Sequence, residues 1–201
     1  MDTTAAARQK QPARVRTRDP HRRETILRAA ERLLSRNGFS SVSMADIGAE
    51  VGIAASAIYW HFPSKQALLV SVFDECLERL GRAQDEAVEQ SSDSEDALRR
   101  LVDQHVDFVV VERDLARVYY QESVHLPEED QRRLRRKQAA MVAAWTDLLC
   151  SCREGLEREY ARAMVGAAIG AVQSALRSRD GMGRDLQRQL LAEAAWRVLR
   201  P

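Results

Sequence analysis

Residues Phe39 to Phe73 read FSSVSMADIGAEVGIAASAIYWHFPSKQALLVSVF. Ser43, followed three residues later by Asp46, has the pattern of a helix N-cap with a capping box. Gly52 then supplies a tight turn. The stretch therefore predicts two short helices joined by a glycine turn and followed by a longer helix, which is the layout of a helix-turn-helix DNA-binding unit.

The second helix of this unit is predicted over residues 54–61. The segment Phe62-Pro63-Ser64 ends it and caps the next helix, because proline disfavours the α conformation in the residue before it. In a helix-turn-helix the front of the second helix faces the major groove. We therefore expect DNA contacts from Ala54, Ala55, Ser56, Ala57, Tyr59, Trp60 and His61.

The side chains of this second helix are poor base readers. The helix has no Arg, Asn or Gln, so it cannot make the bidentate contacts to guanine or adenine that dominate direct readout. Alanine methyls against thymine methyls and the Ser56 hydroxyl remain. Tyr59 and His61 are expected to hold phosphates, together with Ser43 and Lys65. The alternative is that the aromatic side chains of the helix only pack against the protein.

Basic charge is concentrated at the same end of the chain. Through Lys65 there are eleven basic and six acidic residues, a net charge of +5, whereas the rest of the chain carries −4. The positive electrostatic field of residues 1–65 lies where a DNA phosphate backbone would run. Arg14, Arg16 and Arg18 precede the first helix, and we expect them to enter a narrow A·T minor groove, so that DNA deformability supplies part of the sequence preference. The alternative is an ordinary solvated charged face.

Between about residues 19 and 73 the chain resembles the tetracycline-repressor (TetR) family of bacterial transcriptional regulators. The segments in that family's order and spacing are Asp46-Ile47, Gly52-Ile53, Ile58-Tyr59, His61-Phe62-Pro63-Ser64-Lys65 and Ala67-Leu68-Leu69. Beyond Leu80 only length and helical character match. The resemblance implies a homodimer that binds double-stranded, roughly palindromic operator DNA and releases it when a small molecule enters the second domain. From the composition and the lack of a visible targeting signal we also expect a cytoplasmic protein, associated with the nucleoid when it is bound to DNA.

Three residues depart from the commonest pattern of that family. Ala54 stands where a capping serine is frequent, Ala55 where a lysine is frequent, and Trp60 at a variable position that a polar residue often fills. At these three positions the resemblance does not carry over the family's usual phosphate and base contacts of the helix.

Apolar residues recur at helical spacing along the chain, and no segment of any length has the period of a strand. The pattern predicts an all-α protein with a flexible basic arm over residues 1–18, a three-helix helix-turn-helix domain over 19–65 and a helical effector-binding and dimerisation domain over 66–201. Asp19-Pro20 is expected to open the first helix, Ser92 with Glu95 to form a capping box for the fifth, and Pro127 to open the seventh.

The middle helices carry more apolar and aromatic side chains than a spacer requires. We expect an effector pocket lined by Phe73, Leu77, Val102, His105, Val106, Val109, Val118, Tyr119, Met141, Trp145 and Leu148. These positions include no cluster of basic residues, so the pattern favours a largely apolar effector, which could be lipid-like, an acyl-CoA or aromatic. The alternative is a solid core, since protein interiors are close-packed.

The last two predicted helices carry matching apolar stripes. We expect a dimer interface formed by Met164, Val165, Ala168, Ile169, Val172, Leu186, Leu190, Leu191, Ala194 and Val198. Gly166, Ala167, Gly170 and Ala171 would let backbones approach closely. A dimer would place two recognition helices about 34 to 36 Å apart, in successive major grooves. The alternative is that both stripes serve only the internal core.

Several other classes of protein are disfavoured. No secretory run opens the chain, and its longest apolar stretch, residues 163–172, is too short to span a bilayer. Three cysteines without zinc-site spacing indicate reduced helix residues. We expect no cofactor, no metal and no enzyme activity. One alternative is a helical metal enzyme, for which Glu122 and His125 would supply half of a di-metal site; another is a helical adaptor that binds only protein.

Overall fold

The computed structural model describes residues 21–177 and 181–200, and these residues are helical without any strand, which confirms the expected all-α fold. The helices are α1 Arg22–Asn37, α2 Met44–Glu50, α3 Ala55–Ile58, α4 Lys65–Glu89, α5 Ser94–Val110, α6 Arg113–Gln121, α7 Glu128–Cys152, α8 Arg158–Gln173 and α9 Arg184–Leu199. Single 3-10 turns cover Ser123–His125 and Ser174–Leu176. The arm residues Arg14, Arg16 and Arg18 and the Asp19-Pro20 cap lie outside the described residues.

Polar caps set the starts of several helices. The Ser43 hydroxyl accepts a hydrogen bond from Asp46 N at 3.1 Å while Asp46 Oδ2 accepts from Ser43 N at 2.8 Å, which completes the expected capping box of α2. Ser64 caps α4 by accepting from Ala67 N at 3.0 Å. Each such cap satisfies a backbone N–H that has no partner inside its helix.

Two helix boundaries differ from the sequence-based prediction. The cap of α5 is shifted by one residue: Asp93, not Ser92, accepts from Asp96 N at 2.8 Å, because the aspartate carboxylate takes the capping position. Helix α3 ends at Ile58 instead of residue 61, because the backbone tightens into a turn in which His61 N donates to Ile58 O at 2.9 Å. Such 3-10-like turns are frequent at helix ends.

Two glycines shape the link between α2 and α3. Gly52 has φ +68°, a left-handed conformation that side-chain-bearing residues rarely adopt. At Gly48 the constraint is close approach, since a Cβ there would lie 2.7 Å from the carbonyl oxygen of Ile53. Helix α2 can therefore pack against the segment that leads into α3 only if residue 48 has no side chain.

The C-terminal helices are arranged around α5. This helix packs against α4, α7 and α9, while α8 packs side by side with α7 and α9. The two parts of the molecule meet where α1 packs on α6, and there the Ser35 hydroxyl donates to Asp114 Oδ1 at 2.8 Å. Helix α6 is therefore in direct contact with α1, which in turn packs against α2 of the helix-turn-helix.

Candidate nucleic-acid interface and internal cavity

The segment around α3 is anchored on one side and open on the other. Ile58 and Phe62 are buried in the hydrophobic core of the first three helices. The opposite side presents Tyr59, which is 52% exposed, and Trp60, which is 90% exposed. Ala54, Ser56 and His61 are also exposed, while Ala55 and Ala57 are half-buried. Of the residues predicted to contact DNA in this segment, Ala54, Ser56, Tyr59, Trp60 and His61 are therefore accessible to solvent, and Trp60 has no large internal role.

Ala54 is the N-cap of α3, with extended backbone angles and no side-chain hydrogen bond to the helix. An alanine has no acceptor to offer there, so backbone N–H groups of the first turn of α3 receive nothing from the cap side chain. The N–H of Ala57 in this first turn donates instead to the carbonyl oxygen of Ala54 at 2.9 Å. Backbone N–H groups at a helix start are suited to a phosphate.

Two of the predicted phosphate contacts already have partners inside the protein. The Ser43 hydroxyl donates to Asp46 Oδ2 at 2.6 Å, and the hydrogen bonds from the Ser43 side chain and backbone lower the pKa of Asp46. The Lys65 ammonium lies 4.1 Å from the centre of the Phe39 ring, a cation–π distance. A DNA phosphate that bound the Ser43 hydroxyl and the Lys65 ammonium would share them with Asp46 and Phe39.

The second candidate site is a cavity of about 330 Å³ between α4, α5 and α7. Its wall consists of Arg79, Leu80, Ala83, Gln84, Glu86, Leu101, Gln104, His105, Asp107, Phe108, Val111, Glu112, Met141 and Trp145. This volume lies at the lower end of the range for small-molecule sites, and the wall has as many polar or charged residues as apolar or aromatic ones.

The predicted pocket residues fall into three locations. His105, Met141 and Trp145 line the cavity. Leu77 and Tyr119, with Met141, line a smaller adjoining hollow of about 200 Å³, which shares Leu80 and Gln84 with the cavity. The rest belong to the packed interior: Phe73, Val102, Val106, Val109 and Val118 are buried, and Leu148 is half-buried against the core.

Sequence reasoning missed most of the cavity wall. Leu101, Gln104 and Phe108 stand at helical spacing around His105, so the period that identified His105 could have identified them. Arg79 and Glu112 could not have been found in this way. They come from different helices, and their ion pair exists only because α4 and the start of α6 pack together.

Three polar atoms in the cavity wall have no hydrogen-bond partner among the described residues. They are Gln104 Oε1, His105 Nε2 and Trp145 Nε1, all shielded from solvent. His105 and Trp145 are each 3% exposed, and their rings meet edge to face at 5.8 Å. Burial lowers the pKa of His105 to about 4, so its ring is neutral at pH 7. A buried polar group without a hydrogen-bond partner lowers folding stability, so three such atoms in one cavity wall are unusual.

An ionic connection leads from this cavity toward the first domain. Arg79 donates to Glu75 at 2.9 Å and is also bonded to Glu112, the residue at the N-cap of α6. Burial opposes the charge of Arg79, but these hydrogen bonds outweigh it and raise its pKa. Glu31 on α1 is buried close to this group, and its burial raises the pKa of its carboxyl.

Glu122 and His125, the pair considered for a metal site, have a different place in the fold. They belong to the turn after α6, where Glu122 Oε2 accepts from Phe39 N at 3.1 Å. The His125 ring stacks on Phe39 at 4.8 Å and lies 3.5 Å from the Glu122 carboxylate. Across the described residues, no cluster of three or more His, Cys, Asp or Glu is arranged for a metal ion.

The residues predicted for a dimer interface divide between an inner and an outer face. Met164, Val165, Ala168, Ile169, Val172 and Leu191 are buried within the chain, and Ala194 and Val198 are half-buried. Leu186 and Leu190 are 59% and 51% exposed. On α8, which packs against α9, Gly166 and Gly170 are exposed, and an added Cβ at either position would meet no atom within 4 Å. Within the described ranges, no helix is long and apolar enough to cross a membrane.

Two family models match the chain. "Bacterial regulatory proteins, tetR family" matches residues 26–72, and "Tetracyclin repressor-like, C-terminal domain" matches residues 91–177. The first covers the helix-turn-helix and the second covers α5, α6, α7 and α8, which include much of the cavity wall. Together the two matches span about two thirds of the chain.

Individual relatives agree with these models. The regulator EthR of Mycolicibacterium smegmatis is 38% identical over 80 residues, which are 39% of this chain and 37% of that protein, so the alignment spans well under half of that relative. A TetR-family regulator from Bordetella parapertussis superposes with a TM-score of 0.80 at 22% identity, covering 89% of this chain and 93% of that one. AibR, solved with isovaleryl coenzyme A and operator DNA, superposes at 0.77 with 16% identity, covering 89% and 98%.

Proposed function

Because the chain belongs to the TetR family of DNA-binding transcriptional regulators, which are not enzymes, we propose that it is a homodimeric repressor. A small, largely apolar effector would enter the C-terminal domain and release the protein from a roughly palindromic operator. The observation that carries the proposal is the pairing of an exposed α3 face with a cavity that is tied to it through α6 and α1.

The composition of the α3 face supports a particular way of binding DNA. Tyr59 and His61 would contact phosphates, while Ala54, Ala55 and Ala57 would lie against base edges and Ser56 would donate one hydrogen bond. Few sequence-reading contacts of this kind imply that shape, deformability and backbone contacts carry much of the affinity. Arg14, Arg16 and Arg18 would add contacts in the minor groove.

The direct test is to select fragments of the organism's own genome with the full-length protein and to titrate the selected DNA. Tyr59→Phe removes only a hydroxyl, and we expect about tenfold weaker binding, because each half-site loses one hydrogen bond to a charged phosphate. Tyr160→Phe is the matched control, an exposed tyrosine on α8. If no fragment is enriched, the chain does not act as a DNA-binding repressor, and the adaptor alternative is favoured.

The arm has its own test. Deleting residues 1–18 should weaken operator binding and flatten its dependence on salt, by about one unit of slope for each phosphate that the protein no longer neutralises. Unchanged affinity together with an unchanged slope would exclude the arm from the binding mechanism.

For the dimer we propose the outer face of α8 and α9, around Gly166, Gly170, Leu186 and Leu190. Gly170→Glu would place a charge on this face without a clash inside the chain, since its Cβ position is open. We expect monomers in sedimentation and operator binding that is weaker by about a hundredfold or more, because a monomer reads one half-site. Gly81→Glu, at an equally open helical position on α4, should remain dimeric. A dimeric Gly170→Glu protein would move the interface elsewhere.

Release would follow from the contacts that connect the cavity to the helix-turn-helix. A molecule against Arg79 and Glu112 would shift the start of α6, and α6 holds α1 through Asp114 and Ser35. An effector changes DNA affinity only by its differential binding to the two conformations, and typical couplings of about 3 kcal/mol correspond to roughly 150-fold. Ligands that stabilise the free protein yet never weaken the DNA complex would contradict this mechanism.

A further inference from the structure

Lys65 lies at the start of α4, and its charged end rests on an aromatic ring. The Lys65 ammonium is 4.1 Å from the centre of the Phe39 ring, where the negative face of the ring attracts the positive charge. Since an ammonium has three N–H donors, Lys65 can lie over this ring and still donate a hydrogen bond to a phosphate.

The position of Lys65 also brings it close to the start of α2. The hydrogen bonds from Ser43 lower the pKa of Asp46 most, and the positive charge of Lys65 lowers it as well. The first turns of α2 and α4 are therefore near enough for their charged groups to interact. Lys65 thus belongs to the positively charged end of the chain that carries the helix-turn-helix.

The Phe39 ring is itself held by two residues of the turn after α6. The His125 ring stacks on it, with 4.8 Å between the ring centres and 21° between the ring planes. The Phe39 N–H donates to Glu122 Oε2 at 3.1 Å, and the same carboxylate oxygen lies 3.5 Å from His125 Nε2. Glu122 and His125 therefore hold both the backbone and the side chain of Phe39.

The contact between His125 and Phe39 crosses from one domain to the other. Phe39 lies in the loop after α1, whereas His125 belongs to the 3-10 turn that follows α6. A lysine side chain has many rotamers, and fixing them when DNA binds costs conformational entropy. A ring that holds the ammonium in place before binding removes part of this cost.

Given the proposed binding of operator DNA, we propose that His125 and Phe39 are positioning residues, whose stacked rings hold Lys65 ready for a phosphate of the operator. Operator affinity then depends on His125, a side chain of the C-terminal domain that does not itself contact DNA. A displacement of α6 that carried the turn away from Phe39 would release Lys65 and weaken the DNA complex.

A double-mutant cycle in operator affinity tests whether His125 acts through Lys65. Lys65→Met should weaken binding about tenfold or more and reduce the salt slope by about one unit for each copy of the chain, because a phosphate contact is lost. His125→Ala should weaken binding about tenfold and keep the slope, because Lys65 still reaches its phosphate but must be ordered on binding. In the Lys65→Met background, His125→Ala should have no further effect.

Three further variants separate positioning from a general loss of structure. His125→Phe keeps a ring for Phe39 and should bind the operator as the wild type does. Val124→Ala, which changes an exposed neighbour in the same turn, should also leave affinity unchanged. Phe39→Leu keeps apolar packing without the ring and should repeat the effect of His125→Ala. A thermal melt of each variant verifies that it is folded.

A measurement on the free protein is independent of DNA. The ring current of Phe39 should shift the proton resonances of the Lys65 ε-methylene group upfield, because the end of this side chain lies over the ring. His125→Ala should reduce the upfield shift, whereas His125→Phe should retain it.

Three results would overturn the proposal. If His125→Ala weakens binding equally with Lys65 and with Met at position 65, the stacked rings do not act through Lys65. Unchanged operator affinity in His125→Ala, or an upfield shift that persists in that variant, would equally reject a positioning role. Failure of the proposed function has a different signature: the wild-type protein would bind no operator, while the resonances of the free protein still report whether the rings hold Lys65.

Discussion

The α3 face and the cavity wall of α5 differ in how many polar groups they carry and in whether those groups are exposed. In residues 54–61, which comprise α3 and the turn after it, the exposed side chains are mostly methyls and aromatic rings, with Tyr59 and Trp60 exposed and Ser56 as the one small hydroxyl. On α5 the polar atoms of Gln104 and His105 point away from solvent and lack partners among the described residues. The surface proposed for a highly charged polymer is therefore poor in polar side chains, and the interior is rich in unused ones.

This contrast indicates where each kind of specificity resides. DNA carries its own charge and its own shape, so affinity can come from the basic field, from backbone N–H groups and from the spacing of two copies. A small molecule has no such repeating charged backbone, so its recognition depends on the shape and chemistry of the cavity that encloses it. Substitutions at His105, Gly48, Glu122 and Ala54 test whether the two ends are as separate as this contrast implies.

The largest expected effect is the loss of folding stability at acid pH, which we attribute to His105. Its pKa is about 4 in the folded protein against an ordinary 6.5, so the unfolded chain binds more protons between these values, and stability is lost as pH falls through that window. The shift corresponds to roughly 3 kcal/mol. In His105→Leu the fall in unfolding free energy between pH 6.5 and pH 4, measured with denaturant at one protein concentration, should be smaller by that amount.

Gln104→Leu is the control for this pH experiment, because it changes the same cavity without removing a titrating group. It should keep the acid loss of the wild type. The same pH dependence in His105→Leu and in the wild type would mean that the histidine is hydrated in solution, and the cavity would then not be as desolvated as the contrast with α3 requires.

Gly48→Ala should damage the DNA-binding end alone. The new Cβ would lie 2.7 Å from the carbonyl oxygen of Ile53, a backbone atom that cannot move aside cheaply. Overpacking of this kind costs about 2 kcal/mol, and the displacement of α3 should abolish operator binding. Gly166→Ala, at an open helical position, controls for the substitution in the stability measurement, and a Gly48→Ala protein with full operator affinity would show that α2 and α3 can separate without harm.

Glu122→Ala should loosen the contact that joins the two ends. It removes the acceptor for Phe39 N and the carboxylate beside His125. We expect a loss of about 1 kcal/mol in stability, because the pair is partly exposed and a hydrogen bond to a charged group contributes modestly there. Hydrogen exchange at the Phe39 amide should become faster. Glu129→Ala, an exposed carboxylate in the first turn of α7, should leave that amide protected.

Ala54→Ser should change stability least, yet it bears most directly on the contrast between the two ends. A serine at this N-cap would accept a hydrogen bond from the first turn of α3 and should add about 0.5–1 kcal/mol to stability. If the uncapped N–H groups bind phosphate, operator affinity should nevertheless fall, since the cap would occupy them. A variant that gains both stability and affinity would contradict that role for the helix start.

The helical elements could be predicted from the sequence, because their signals are local. The Ser43 capping box, the Gly52 turn and the Ser64 cap each depend on residues within four positions of one another, and the structure has all three. Boundaries were less secure where two residues could serve the same purpose, as at Ser92 and Asp93, or where a turn tightened after Ile58.

Tertiary packing alone determines which residues of different helices come into contact. In the sequence Gly48 is an ordinary helical glycine, but in the fold the carbonyl oxygen of Ile53 lies against it. Gln104 of α5 and Trp145 of α7 are far apart in the chain, and only the packing of their helices places both in one cavity wall. The Phe39 contact with Glu122 joins residues 83 positions apart. Periodicity records whether a side chain faces inward, since that is a property of one helix, whereas a cavity and a domain contact depend on how several helices are placed, which no local pattern encodes.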